Sequence, residues 1–509
     1  MKFYLRDTEG FNQAEKLDII ILVPSAWDDW FRYSTLYNLY YYDNNGDVMH
    51  LGSVKIGQKD MANDQRRPNL PDFFETLNDI FFSLGQDVSY YEKLSTIGVD
   101  FRDTVLNALN DIALKEETYK EALKENVTKI SLLRSVSQVS VEGQFKRLAV
   151  GDSQLTPYNF TFHLPKHYKS QGGDIKLDFN VQPKSNPPTN INVIIGRNGV
   201  GKTHLFNSMI SSLLNGNQKG IKNGFFTNSQ EETKNPFANL ISVSFSAFDE
   251  TNPMEEKRDK TKYMNFSYIG LKRIEKNKAR LPPKSPIVLK NEFVKSVEVC
   301  KHQGKRSKWV KALEMLESDP IFKEAEVSQI AKINIEDEFK QIASSIFNNL
   351  SSGHKIVLLT ITRLVETIEE KSLVLLDEPE AYLHPPLLSA FVRALSEILI
   401  KRNAVAIIGT HSPVVLQEVP ASCVWKLRRH GATAIAERLE IESFGENIGQ
   451  LTQEVFGLEV TDSGFHNILK QIAHDSDSYE SGIKKLDKQL GQEGKAILRT
   501  LIKYNEKNS

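Results

Sequence analysis

Val193-Ile194-Ile195-Gly196-Arg197-Asn198-Gly199-Val200-Gly201-Lys202-Thr203 reads as an apolar strand running into Gly-x-x-x-x-Gly-Lys-Thr, with an amphipathic segment from His204 to Leu214 behind it. Strand, glycine loop and helix in that order are the context a phosphate-binding loop requires. Glycine lets the backbone curl, so that N–H groups from Gly196 to Thr203, those of Arg197, Asn198 and Val200 included, turn toward phosphate oxygens. Lys202 reaches the β- and γ-phosphates, and Thr203 offers its hydroxyl to Mg²⁺. The helix N-terminus adds partial positive charge beneath them. The fold class that follows is α/β.

The 509 residues suffice for several domains with sizeable cores. A formal net charge of -1 excludes a globally basic nucleic-acid binder, so any such contact needs a local patch. The two cysteines, Cys300 and Cys423, are far apart with no Cys-x-x-Cys, which argues against a disulfide framework or zinc site and for a reducing compartment. Met1 to Gly10 lacks the apolar centre of a signal peptide, and runs such as Ile19 to Val23 are too short to span a bilayer. A cytoplasmic protein is expected.

Two more apolar strands end in chemistry. Ser372-Leu373-Val374-Leu375-Leu376-Asp377-Glu378-Pro379 places two acids at the carboxyl edge, where open α/β sheets bind ligands. Asp377 suits the Mg²⁺ shell, and Glu378 suits orienting and deprotonating water. Val405 to Pro413 ends in His411, a candidate for the γ-phosphate or the attacking water. Glu378, His411 and Lys202 are therefore the candidate catalytic residues. Leu350-Ser351-Ser352-Gly353-His354-Lys355 opens a helix expected to reach about Glu370, and Ser351, Ser352 and Gly353 form an anion-binding turn at its start.

Residues 1–150 read as a separate α+β domain. A strand is expected over Leu17 to Val23, and a hairpin over Tyr37 to Tyr42 and Val48 to Ile56 around Asn44-Asn45-Gly46. Helical spacing is read over Pro71 to Leu84, Phe101 to Leu114 and Glu116 to Glu125. The aromatics from Trp27 to Tyr42 read as core. Tyr158 to Leu164, Ile175 to Val181 and Leu240 to Phe245 read as strands. Lys257 to Lys311 is dense in Lys and Arg, including Lys305, Arg306 and Lys308. It fits either a face for phosphate backbones or a solvated helical subdomain. With helix expected from Leu313 to Phe347, broken near Asp319-Pro320, residues 251–347 read as a helical basic insertion. Strands are expected over Ala421 to Lys426 and Ala434 to Leu439, then a helical tail over 441–509, where Asp475-Ser476-Asp477 reads as a helix cap.

Phosphate loop, Ser-Gly turn, Asp-Glu-Pro strand and Thr-His-Ser-Pro strand, in that order over roughly 157–440, resemble the heads of ABC-type ATPases. Asp377-Glu378-Pro379-Glu380 with Leu383-His384-Pro385 and Thr410-His411-Ser412-Pro413 looks like the soluble branch, which includes OLD-family and Septu PtuA-type defence ATPases and, more distantly, RecF- and SMC-like proteins. The resemblance implies ATP and Mg²⁺ as cofactors and a head-to-tail homodimer. Gly196, Asn198, Gly199, Gly201, Lys202 and Thr203 would bind nucleotide in cis, and Ser351 and Gly353 would touch the γ-phosphate in trans. Asp377 would support Mg²⁺, Glu378 would be the base and His411 the switch histidine. Ser352 departs from a usual glycine, His354 from a usual glutamine and His384 from a frequent aspartate. The sensor glutamine is missing from Ser246 to Glu250. A slow, ligand-gated ATPase is implied, one that regulates a separately encoded effector nuclease in bacterial antiphage defence. OLD-type proteins carry a TOPRIM nuclease after the head, for which 441–509 is too short, so cleavage of nucleic acid by this chain is not expected. Two other readings stay open: a repair or recombination ATPase clamping DNA through 257–311, and an ATP-bound scaffold that does not hydrolyse.

Overall fold

The computed structural model describes residues 1–6, 17–25, 29, 32–62, 64–152, 155, 157–165, 174–215, 224–228, 236–245, 264–273, 282–302, 305–333, 336–430, 433–457, 464–487 and 489–508. Its first sheet has six strands: β1 (Lys2–Leu5), β2 (Ile19–Pro24), β3 (Leu36–Tyr42), β4 (Val48–Gln58), β5 (Phe73–Phe74) and β6 (Phe81–Gly85), in the order β5-β1-β2-β3-β4-β6. Helices Val88–Ile97, Val99–Ala108 and Glu116–Ala122 follow. One hydrophobic core is built wholly from residues between Phe3 and Ala149, with Tyr33 and Tyr37 inside it.

Helical spacing over Pro71 to Leu84 is overturned. Phe73, Leu77, Phe81 and Leu84 are spaced for a helix face, but Phe81–Gly85 pairs antiparallel with β4 and is buried throughout. Strand pairing against an existing sheet outweighs the local period, and the break falls at the turn residues Asn78-Asp79. Phe101 to Leu114 is helical only as far as Ala108.

The same core holds Asp111, fully buried, which accepts from the Tyr91 hydroxyl and from the Ala113 N–H at 2.9 Å. Burial pushes its carboxyl up to about 7. The folded chain then keeps a proton that the unfolded chain releases above about pH 4, so this group makes stability fall as pH rises from about 4 to 7. Asp111→Asn is expected to melt close to the wild type at pH 5 and above it at pH 7.5. Equal melting temperatures at both pH values would remove Asp111 from this role.

The second half begins with a small antiparallel sheet in the order β10-β7-β8, built from β7 (Tyr158–Leu164), β8 (Ile175–Val181) and β10 (Phe225–Asn228). The main sheet holds β9 (Ile191–Ile195), β11 (Asn239–Ser244), β12 (Asn265–Gly270), β13 (Leu373–Asp377), β14 (Val405–Thr410), β15 (Val424–His430) and β16 (Thr433–Glu437). The order is β12-β11-β13-β14-β9-β15-β16, parallel except for β16. The central strands β13 and β14 are nearly continuous apolar runs because both faces are covered. Val374, Leu376, Ala406 and Ile408 face one core, and Leu373, Leu375, Val405 and Ile407 face the other. Helix Lys202–Leu214 packs in the second core. Helices Pro286–His302, Arg306–Leu316, Glu336–Asn349, Ser352–Thr367 and Pro385–Arg402 contribute to the first.

The reading of 251–347 as wholly helical is corrected by β12, which joins the edge of the main sheet beside β11. Many of the basic residues of that segment, Lys257 to Lys262 and Lys276 to Arg280 among them, lie outside the described residues, as does Ser246 to Glu250. Of those inside, Lys305 is buried and donates to the Glu366 carbonyl at 2.6 Å, and Lys308 pairs with Asp87 at 2.7 Å. Only Arg306 of the three singled out is exposed. Among the described residues Cys300 and Cys423 are buried and free, and no helix is long and apolar enough to cross a membrane. Asp475 closes helix Phe465–His474, whereas the next helix, Tyr479–Lys485, is capped by Ser478.

The N-terminal half, residues 1–149, and the second half are joined by polar contacts. Arg402 and Lys308 converge on Asp87, and Arg147 pairs with Glu370 at 2.7 Å. The Ser137 N–H and the Ser140 hydroxyl donate to Glu369 just beyond the end of helix Ser352–Thr367.

Candidate functional site

Three adjacent strands deliver the site. In register, Asp377 on β13 lies beside Gly409 on β14, and Thr410 lies beside Ile195 on β9. The residues that follow each strand therefore emerge level at one sheet edge: Glu378, His411 and Gly196. Sheet order puts His411 between the carboxylate and the phosphate loop.

The loop is anchored from below and open above. Val200 is buried in the core, so it can offer a ligand only its backbone. Gly199 and Gly201 hold φ of 81° and 108°, a region that favours glycine, with open space where a Cβ would lie. Lys202 is buried and curls back, its Nζ donating to the carbonyls of Gly196 at 3.0 Å and Arg197 at 3.2 Å. The same ammonium lies 3.4 Å from Glu378 Oε1. Arg197 and Asn198 sit in the exposed crest, with Arg197 donating to the Arg429 carbonyl at 3.3 Å.

Thr203 Oγ1 donates to Asp377 Oδ2 at 2.6 Å. A hydroxyl and a carboxylate meeting beside a phosphate loop are the hard oxygens that suit Mg²⁺, which takes its other ligands from phosphates and water. No three His, Cys, Asp or Glu side chains group around a metal position among the described residues, and a magnesium–nucleotide site needs no such group.

Glu378 adopts φ of 48°, left-handed for a non-glycine residue. Its N–H donates to the Gly409 carbonyl at 2.8 Å, and Pro379 opens the 3-10 turn Pro379–Tyr382 behind it. That kink swings the carboxylate out of the strand direction, to 3.7 Å from His411 Nδ1. Such backbone costs about 1–3 kcal/mol and gathers at functional sites.

The 3-10 turn also returns Glu380, to which the sequence assigned no role. Its Oε1 accepts from Thr410 Oγ1 at 2.6 Å and from the His411 N–H at 2.8 Å, and lies 3.1 Å from His411 Nδ1. Glu380 thus fixes the backbone at His411 and stands close beside its ring. The available signal was a third acid two residues after Glu378.

Ser351, Ser352 and Gly353 sit elsewhere. Ser351 and Ser352 are exposed at the start of helix Ser352–Thr367, and Ser351 caps it. Gly353 is buried, where a Cβ would stand 2.5 Å from the Tyr382 carbonyl. Close packing against the turn that carries Glu380 explains this glycine. Among the described residues, Ser351 bonds His354 and nothing in the phosphate loop. His354 is buried and lies 3.0 Å from Asp319, a second residue the sequence reading missed.

Residues 329–417, which take in Asp377, Glu378 and His411 but not the phosphate loop, match the family described as "AAA domain, putative AbiEii toxin, Type IV TA system". Among solved structures, the chain is similar to the ADP form of MJ1267, an ATP-binding cassette of an ABC transporter (15% identity, TM-score 0.32, 60% of this chain and 98% of that one). It is also similar to cbiO1 of Clostridium perfringens, part of the ABC transporter complex cbiONQ (15% identity, TM-score 0.29, 62% of this chain and 100% of that one). Protein ea59 of Escherichia phage lambda is 39% identical over 527 residues, covering 99% of this chain and 98% of its own. Similarity of that extent, end to end, places this chain in the family of Protein ea59.

Proposed function

We propose that this protein is a magnesium-dependent ATPase that closes head-to-tail with a second copy of itself around ATP and works as a slow switch. One observation carries the reading. Lys202, Thr203, Asp377, Glu378 and His411 converge at the edge of three adjacent strands, while the exposed serines of the Ser-Gly turn are bonded to none of them. The first group is one half of a shared site, and the second is a half that another copy would supply.

In that assembly the loop N–H groups and Lys202 would bind the phosphates, and Thr203 and Asp377 would hold Mg²⁺, which when bound would supply charge neutralisation for the transferred phosphoryl group. Glu378 takes the proton of the attacking water, and His411, held by Glu380, orients that water or the γ-phosphate. Service as the sensor of a bacterial antiphage system, governing a separately encoded nuclease from a cytoplasmic location, rests on the motif resemblance alone.

The test is ATP hydrolysis by the purified protein with Mg²⁺ and with EDTA, alongside its mass in solution with and without ATP. Mg²⁺-dependent release of phosphate and an ATP-dependent rise from one copy to two are expected. No hydrolysis with Mg²⁺, with or without DNA, would defeat the enzyme reading.

A further inference from the structure

Ser351, His354 and Asp319 form a hydrogen-bonded chain that the ATP site does not use in one copy. His354 Nε2 lies 3.0 Å from Asp319 Oδ1, and His354 Nδ1 lies 2.6 Å from Ser351 Oγ. Asp319 is fixed independently, because the same Oδ1 caps helix Pro320–Glu324 by accepting from Ile321 N at 3.0 Å and Phe322 N at 3.3 Å. Asp319 and His354 are both buried, and the Phe322 ring stands edge-on to the imidazole. Only the serine end reaches solvent.

The chemistry of the chain assigns its protons. A carboxylate only accepts, so Nε2–H donates to Asp319. In the neutral ring Nδ1 is then an acceptor, and the Ser351 hydroxyl donates to it. Ser351 therefore shows lone pairs outward, the wrong polarity for a phosphate oxygen. Protonating the ring makes Nδ1 a donor, Ser351 accepts from it, and the hydroxyl hydrogen is released to point away from the ring.

We propose that Asp319 and His354 are positioning residues that couple engagement of the γ-phosphate by Ser351 to uptake of one proton per site. The proposal rests on the shared-site reading above. The titratable groups facing His354 are Asp319 and, from the start of helix Pro385–Arg402, His384, with ring centroids 6.2 Å apart. Asp319 meets the Nε2 end as an acceptor, and the incoming phosphate adds negative charge on the Ser351 side. A protonated His384 would oppose it.

The test uses the full chain in a Glu378→Gln background, so that ATP is not consumed. ATP-dependent dimerisation is measured by light scattering from pH 6 to pH 8.5. Wild-type His354 is expected to give a dimerisation constant that falls with rising pH, by roughly tenfold per site per pH unit once the imidazole is mostly neutral. His354→Gln, which has no proton to take up, should dimerise with that slope removed. Asp319→Asn keeps an oxygen to cap helix Pro320–Glu324 but not the charge, and should weaken the slope. The titration of ATP itself is common to all three proteins and cancels in the comparison. A wild-type slope that persists unchanged in both variants overturns the proposal, as does wild-type dimerisation with no slope. Absence of an ATP-dependent dimer at every pH would instead overturn the shared-site reading. A purely structural role for the chain would lower the melting temperature of the variants and leave the slope in place.

Discussion

Glu378→Gln is expected to lower ATP hydrolysis by ~10²–10⁴-fold while leaving ATP binding intact. The substitution preserves volume, and an amide is as compatible as a carboxylate with the backbone at φ of 48°. The N–H bond to the Gly409 carbonyl is untouched, so the turn that positions Glu380 and His411 survives. What disappears is the ability to accept a proton from water. Lys202→Ala should behave in the opposite way, because it removes the cation that the loop cradles and so weakens binding itself. Nucleotide affinity by equilibrium titration and hydrolysis in a single turnover separate the two effects. Hydrolysis at the wild-type rate by the Gln variant would mean that Glu378 is not the base. Loss of affinity in that variant would mean that the carboxylate organises the empty loop through Lys202, 3.4 Å away.

The second large effect is at Asp87. This carboxylate is buried, caps helix Val88–Ile97 by accepting from Ser89 N at 2.9 Å, and pairs with Arg402 at 2.5 Å and Lys308 at 2.7 Å. Burial alone would raise its pKa, but the Arg402 guanidinium and the Lys308 ammonium outweigh it and hold the group well below the usual carboxylate range. Burial, with help from Arg402, pulls the Lys308 ammonium down to about 8. Asp87→Ala leaves two cations facing each other without a counter-charge, at a cost of about 3–5 kcal/mol, and loses a helix cap. A fall in melting temperature of ~10 °C is expected, with residues 1–149 becoming sensitive to protease before the second half. The stabilisation is complete above the unfolded-state pKa near 4 and is lost as pH falls toward the depressed folded value, so wild type and variant should converge on acidification. Adding Lys308→Met to Asp87→Ala should recover part of the loss. No recovery would show that the cap and packing, and not the charges, dominate.

The candidate site was legible in the sequence wherever the chemistry followed a strand. Val193 to Ile195, Leu373 to Leu376 and Val405 to Ile408 are apolar on both faces, and that pattern marks a parallel sheet covered on both sides. Once the strands are known, Lys202, Thr203, Asp377, Glu378 and His411 fall at their carboxyl ends without further information. Glu380 was not legible, because its role depends on a 3-10 turn that bends it back under β14. Asp319 was not either: a proline next door marks a helix start, but its partner His354 lies 35 residues away. Phe81 to Gly85 failed for the converse reason, since its spacing fits a helix and only the neighbouring strand β4 makes it extended. The inward turn of Lys305 and Lys308 was equally hidden, because a lysine paired with a distant carbonyl or Asp87 has the same letter as one in solvent.

Strand order has a consequence for how the protein is made. β9 carries the phosphate loop, yet both of its neighbours, β14 and β15, lie more than 200 residues further along. The bond from Thr203 to Asp377 closes a separation of 174 residues. During synthesis the loop therefore exists long before anything flanks its strand, and contacts of this range form late because the chain between them must first lose its freedom. A nascent chain ending anywhere before β14 has the glycines and the lysine but no sheet edge to hold them. On the proposed function, nucleotide binding would double as a report that the second half has reached its native topology, whereas residues 1–149, with a core of their own, can settle first.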